Sequence, residues 1–309
     1  MASYAPLEYA PLEIGSFTAV TADRLELGEG PRLLADGTVV CVDILTGRLL
    51  RVPDTDGGTL SELARLHDPL GAVAPVSPVE GSRSRWAAAT GMAFAALDSD
   101  GQVVHTADLL ARPGGAQRTN DAACDATGRM WAGTMAYDAT PGEGALHRWD
   151  TDGSVTCVLD GLTIPNGPVF SPDGRTLYLA DSAQGVVEAF TVDTSSGELS
   201  ERRVVFRVDA AEGSPDGMTV DSEGCIWSAI WGGGHIRRYT PDGELLQRID
   251  VPARQPSAVC LTGRHLIVTT AAHGMTTPGP WDGAVLRATC RTAAPSAAPY
   301  SPTASELRH

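Results

Sequence analysis

Four oxygen-bearing side chains stand at one fixed distance from a turn. Glu29, Asn120, Asn166 and Asp216 each lie eight residues before a glycine (Gly37, Gly128, Gly174 and Gly224) that opens a strand-like run. Asp216 is the informative member. Its Pro215-Asp216-Gly217 reads like the turns Pro172-Asp173-Gly174 and Pro241-Asp242-Gly243, yet a second turn signal, Asp221-Ser222-Glu223-Gly224, follows at once. A short strand needs one turn at its end, so Asp216 is the counterpart of Asn166 and not of Asp173. Brought together, these residues form an oxygen-only donor set. Carboxylates crowded without compensation are costly or take up protons, whereas a divalent cation neutralises both and accepts amide oxygens as further ligands. Such a set favours one hard ion, Ca2+ or Mg2+, and is compatible with Zn2+, Mn2+ or Fe2+. The competing reading is that Asp, Asn and Glu are ordinary turn residues. The shared offset weighs against it, although the same count reaches Val73 before Gly81, which offers no oxygen, and Gln255 before Gly263, a weak match.

Side chains so far apart in sequence converge only if a repeat brings them together. Turn glycines followed by strand-like runs recur at positions 37, 81, 128, 174, 224 and 263, and a second turn follows each of the first five at Gly57, Gly101, Gly153, Gly197 and Gly243. Each unit therefore reads as consecutive hairpins. A period near 45 residues with no long helical periodicity predicts an all-β fold, a six-bladed β-propeller with four-stranded antiparallel blades around a central channel. Equivalent positions at the start of each innermost strand then lie at one height around that channel. A four-stranded blade cannot cover both of its own faces, so the units should unfold as one domain. The unit at Gly81 matches least well, and the last unit is short. The predicted boundaries are an N-terminal extension over residues 1–14, a propeller over 15–290 whose ring is closed with help from residues near the N-terminus, and a disordered tail over 291–309. That tail is rich in Pro, Ala, Ser and Thr, and its removal would leave stability unchanged. The extension repeats Tyr-Ala-Pro-Leu-Glu, for which the sequence offers no reason.

Composition removes several classes of function. The 23 basic residues are all arginine, are not clustered, and face 38 acidic ones for a formal net charge of −15, which argues against nucleic acid as a partner. No apolar run approaches the roughly 18 residues of a membrane span, and the start lacks a basic, then apolar, secretory pattern, so no membrane partner and a cytoplasmic location are expected. The six cysteines form no CxxC pair and read as small buried residues; the seven histidines form no HExxH pair, which leaves a histidine-rich zinc site without support.

The segments LGEGP (27–31), RTNDAACDATGRMWAGTM (118–135), IPNGPVFSPDGRTLYLADS (164–182) and GSPDGMTVDSEGCIWSAIWGGGHIRRYTPDG (213–243) resemble the senescence marker protein/gluconolactonase/regucalcin-like (SMP-30/LRE) family, in order, over about residues 15–290. The resemblance implies a six-bladed propeller with one catalytic divalent metal in its channel. It places the metal ligands on Glu29, Asn166 and Asp216, and substrate contacts on Arg118, Asn120 and Asp138. The alternative for Asp138 is a solvated loop residue, and for Arg118 an ion pair with Asp121. Two departures from the family's pattern fall beside the motifs: Arg32-Leu33-Leu34 follows GEGP, and Ala122 stands where the family has the glycine of NDG. The implied activity is a metal-dependent lactonase of gluconolactonase type, hydrolysing a sugar-derived lactone, in which Asp216 or a hydroxide on the ion takes the proton of the attacking water. A metal-dependent phosphotriesterase-like hydrolase and a non-catalytic calcium- or ligand-binding propeller are the alternatives.

Overall fold

A computed structural model of the chain describes residues 9–109 and 115–303. Its strands form six four-stranded antiparallel sheets, and five of these take four consecutive strands in plain sequence order. The innermost strands are Gly28–Leu33, Leu70–Pro75, Gln117–Cys124, Pro165–Phe170, Ser214–Val220 and Pro256–Leu261, at the heads of blades 1 to 6. Each of the six expected turn glycines lies between a blade's first and second strands. The second set, Gly57, Gly101, Gly153, Gly197 and Gly243, lies between the third and fourth strands. The described residues contain no α-helix, only two three-residue 3-10 turns, and no helix is long and apolar enough to cross a membrane.

The sixth sheet explains why the last unit looked short. Its outer strand is Thr18–Ala19 from the other end of the chain, paired with Leu286–Thr289 through the register Thr18 to Arg287 and Ala19 to Leu286. Gly15 N–H donates to the Thr289 carbonyl at 3.0 Å and Val20 N–H to the Val285 carbonyl at 2.9 Å, so the N-terminal segment fastens the ring shut. The core is six apolar layers, one between each pair of neighbouring blades. Trp131, Leu177 and Phe190 fill the layer between blades 3 and 4, and Tyr178, Phe206, Met218 and Tyr239 the layer between blades 4 and 5. Blade 2, the poorest match in the sequence, has alanine-rich inner strands, Trp86–Thr90 and Ala93–Leu97. Those small side chains leave room for a stack in which Trp149 lies 5.4 Å from Phe94 and 4.1 Å from Tyr300 between ring centroids. In the N-terminal extension the first Tyr-Ala-Pro-Leu-Glu copy falls outside the described residues; the second docks on blade 5, where Leu12 exchanges two hydrogen bonds with the Gln247 amide.

The end of the chain differs from expectation. Residues 291–303 are not a loose tail but a strap across one end of the channel. Ser222 and Gly263 N–H groups donate to the carbonyls of Ala293 and Thr292, Ala297 N–H donates to the Leu33 carbonyl, and Tyr300 exchanges backbone bonds with Pro75 and Ser77. Ser301 and Thr303 then donate to Gly128 and Thr151. The strap thus bonds to blades 5, 6, 1, 2 and 3 in turn. Its composition is poor in apolar residues, but Tyr300, fully buried with its hydroxyl donating to the Asp150 carbonyl, supplies the anchor, and backbone groups supply the rest. Residues 304–309 of the expected tail lie outside the described residues.

Loss of a fully buried aromatic side chain costs about 3–5 kcal/mol. Tyr300→Ala should therefore lower the urea-unfolding free energy by about 3 kcal/mol, and truncation after Cys290 by more. A truncated chain melting at the same temperature as the full one would show that the strap does not hold the ring.

Candidate functional site

Every innermost strand carries a break in its pairing register near its start: between Glu29 and Arg32, Leu70 and Ala72, Thr119 and Ala122, Asn166 and Val169, Pro215 and Met218, and Pro256 and Ala258. A bulge re-aims side chains that a regular strand would direct into the neighbouring layers. At these bulges Glu29, Asn120, Asn166 and Asp216 turn into the channel, and with Arg118 they line one cavity of about 360 Å³. All five are buried. The eight-residue count misplaces the counterparts in the two weak blades. Gly71 occupies the bulge of blade 2, where a Cβ would run into the Asn120 carbonyl oxygen, and Ser257 occupies that of blade 6, with its hydroxyl donating to the Gly28 carbonyl.

Two aspartates that no motif singled out hold the strands that carry Glu29 and Asn166. The Asp43 carboxylate accepts N–H groups from Glu26 and Leu27 at 3.3 and 3.0 Å, just ahead of Glu29. The Asp181 carboxylate accepts those of Thr163 and Ile164, both at 3.0 Å, just ahead of Asn166. Both stand last in the second strand of their blade, in VVCVD and TLYLAD. That repeated strand-final Asp was the available signal.

The electrostatics of the cavity are those of crowded acids. Burial, then the charge of Asp121, pushes the Glu29 carboxyl up to about 8. Burial, then Glu29 and Asp121, pushes Asp216 well above the ordinary carboxylate range. Burial pulls the Arg118 guanidinium down, opposed by Tyr137, Glu29 and Asp216. Asn166 donates through Nδ2 to the Ser182 hydroxyl at 3.3 Å and to Asp216 Oδ1, while its Oδ1, fully buried, has no hydrogen-bond partner among the described residues. An orphaned amide oxygen between two buried carboxylates that resist ionisation fits a divalent cation: the donors are all oxygens, and the ion's charge would offset both acids. Glu29, Asn166 and Asp216 could hold such an ion. The trio Asp221, Glu223 and Cys225, whose donor atoms also lie close together, is a different kind of cluster. Arg238, itself fully buried, pairs with both of its carboxylates, and Asp221 also accepts the Trp227 indole N–H at 2.9 Å, so that group already contains its own cation.

Arg118 Nη1 donates to Asn120 Oδ1 at 2.8 Å and to the Thr119 carbonyl at 3.0 Å, and Asn120 Nδ2 donates to the Pro165 carbonyl at 3.1 Å. Asn120 thus fixes the arginine at the cavity wall. Arg118 does not pair with Asp121, which bonds Arg32 instead. Asp138 sits outside the cavity lining, exposed, with its carboxylate accepting the N–H and hydroxyl of Thr140. Its neighbour Tyr137, 51% exposed, lines the cavity, as do Trp231 and His273. None of these three rim residues was expected from the sequence, because none carries a repeat signal.

Residues 27–272 match the family model described as the SMP-30/Gluconolactonase/LRE-like region. The chain is 34% identical over 267 residues to regucalcin from Gallus gallus, an alignment covering 83% of this chain and 87% of that one. It is 35% identical over 265 residues to a pentonolactonase from Haloferax volcanii, covering 82% and 84%. Among solved structures it is similar to regucalcin from Agrobacterium tumefaciens, described as a calcium-binding protein, with a TM-score of 0.81 and 26% identity over 93% of this chain and 97% of that one.

Because Glu29 ionises at higher pH in the folded protein than its ordinary value of 4.5, the folded state holds the extra proton between those values. Glu29's contribution to the stability of chelator-treated protein should be fullest below pH 4.5 and be lost as the pH rises towards about 8, so the difference between parent and Glu29→Gln should change across that range. Equal slopes in parent and variant, measured as urea midpoints against pH, would contradict the charge balance described.

Proposed function

The chain belongs to the SMP-30/Gluconolactonase/LRE-like family, and we propose that its channel site is a divalent-metal-dependent lactonase site acting on the ring ester of a sugar-derived lactone. The observation that carries the metal reading is the buried, unpartnered Asn166 Oδ1 beside Glu29 and Asp216. The kinship with a pentonolactonase supports the lactone, and the kinship with a calcium-binding regucalcin supports the ion. A cytoplasmic location agrees with this reading.

A divalent ion held by Glu29, Asn166 and Asp216 would polarise the lactone carbonyl and offset the charge that develops on its oxygen. The remaining work falls to this chain's own groups. In this reading Asp216, which lines the cavity, would be the carboxylate that accepts the proton of the attacking water, unless a hydroxide on the ion does so. Arg118, braced through Nη1 by Asn120, would offer its remaining in-plane N–H groups to ring and hydroxyl oxygens, and such fixed orientation contributes to rate because the donor is already in place. Tyr137 and Trp231 give the mouth two aromatic surfaces, with the phenol or indole N–H available for a polar contact. In this reading Tyr137 takes the substrate-facing position next to Asp138, whose carboxylate is already engaged by Thr140.

Turnover of a panel of aldonolactones and phosphotriesters, with and without chelator, tests the reading. Chelator-sensitive opening of lactones supports it, preference for phosphotriesters would favour that chemistry at the same site, and metal binding without turnover would leave a binding propeller. Asp216→Ala should lose most of its bound metal by elemental analysis and its activity with it. Arg118→Ala should keep the metal and the melting temperature while kcat/KM falls about 10–100-fold, about 1.4–2.7 kcal/mol of transition-state stabilisation. An unchanged kcat/KM would remove Arg118 from the substrate site.

A further inference from the structure

One buried acid near the site takes no part in the cavity. Asp121 follows Asn120 in the bulge of blade 3, is 3% exposed, and does not line the channel chamber that holds Glu29 and Asp216. Its Oδ2 accepts the N–H of Gly167 at 3.0 Å, and its Oδ1 accepts the N–H of Ala122 at 2.8 Å and Arg32 Nη2 at 3.0 Å. The same Nη2 donates to the Ala122 carbonyl at 2.7 Å. Arg32 lies three residues beyond Glu29 on the blade 1 strand and faces the other chamber of the channel, an apolar cavity of about 180 Å³ that the C-terminal strap helps to line. The pair therefore marks the floor between the two chambers and joins blades 1, 3 and 4.

The geometry points to the Arg32–Asp121 pair as the device that aims the amide of Asn166 into the site, with Asp121 as a positioning residue for metal binding. Gly167 directly follows Asn166 and is held from two sides. Its N–H is fixed by Asp121, and its φ of +52° and close approach to blade 5, where a Cβ would lie 2.8 Å from the Met218 nitrogen, leave no room there for a side chain. The direction of the peptide after Asn166 sets where that side chain starts, and so where its unpartnered oxygen points. A neutral acceptor could take the Gly167 N–H, but a carboxylate takes it along with two other donors and more strongly. The cost is a third negative charge beside Glu29 and Asp216, which Arg32 offsets from the far side without entering the ligand chamber. Gly71, the residue of blade 2 between the two partners in the ring, has no side chain to obstruct the Asn120 segment on which Asp121 stands.

This inference rests on the metal reading of the site, and the test separates the two. Chelator-stripped parent and variants are titrated with Ca2+ and with Mn2+ by calorimetry, alongside melting of the stripped proteins and the split between kcat and KM on a lactone. Asp121→Ala and Arg32→Met should bind the ions about 10–100-fold more weakly, with kcat at saturating metal reduced less than metal affinity. Arg32→Lys should stay within about three-fold of the parent, because one nitrogen makes both of the arginine's contacts. Asp121→Asn, which keeps the volume and one acceptor oxygen, provides the same readout if the alanine variant does not fold, with an expected loss of about 3–10-fold. Parent-like affinity in a folded Asp121 variant would overturn the inference while leaving the site intact. Tighter binding by Arg32→Met would also overturn it, since the arginine would then act only as a charge opposing the ion. A parent that binds neither ion would overturn the metal reading itself, and this inference with it.

Discussion

Each blade has two apolar faces and no means of covering either alone. That constraint shapes everything else in the molecule. Closing the sheets into a ring buries both faces of every blade in six shared layers, and it forces six innermost strands to run side by side around one axis. The axis is too narrow to be filled by large side chains from all six strands and too enclosed to be bulk solvent. Polar residues at the bulges therefore meet one another there. Closure also explains the chain's ends: the first strand, Thr18–Ala19, completes the last sheet, so the ring cannot open without breaking contacts between residues separated by nearly the whole sequence.

Within that axis the chief cost is that of burying like charge. Glu29, Asp121 and Asp216 are each pushed towards their protonated forms, with burial the largest cause. The structure answers with two counter-charges of different kinds. Arg32 sits behind Asp121, outside the chamber, while Arg118 lies along the cavity wall, fixed by Asn120. One charge short of balance, and with one amide oxygen unsatisfied, the remaining pair of acids suits the chamber to a small hard cation. A structural acid cluster looks different, as Asp221 and Glu223 show: their arginine is within the cluster, and both Asp221 oxygens accept hydrogen bonds.

The two ends of the channel are used differently. One opens as a chamber with Tyr137, Trp231 and His273 at its rim, where a substrate can enter. The other is crossed by residues 291–303, whose Tyr300 ring enters the layer between blades 2 and 3 and whose backbone bonds five blades. With that end crossed by the strap, the chamber opens at the rim formed by Tyr137, Trp231 and His273.

The blade count, the turns and the shared offset of the four side chains that meet in the channel are legible in the sequence. Hairpin geometry is local: a glycine at positive φ, such as Gly174 or Gly224, fixes a turn whatever surrounds it, and the short path from bulge to turn keeps Glu29, Asn120, Asn166 and Asp216 at one offset. The offset broke in blade 2, where the longer connection between Pro75 and Trp86 displaces the count, so that Gly71 and not Val73 stands at the bulge. Only tertiary structure decided the rest. The strap reads as disordered because its composition is poor in apolar side chains, and its partners, Leu33, Pro75 and Gly128 among them, exist as one surface only once the ring has closed. Nor could spacing show that Asp121 pairs with Arg32, 89 residues away, instead of the nearby Arg118. A bulge reverses which way neighbouring side chains face, and which face meets which partner is set by the packing of blades around the axis, not by order along the chain.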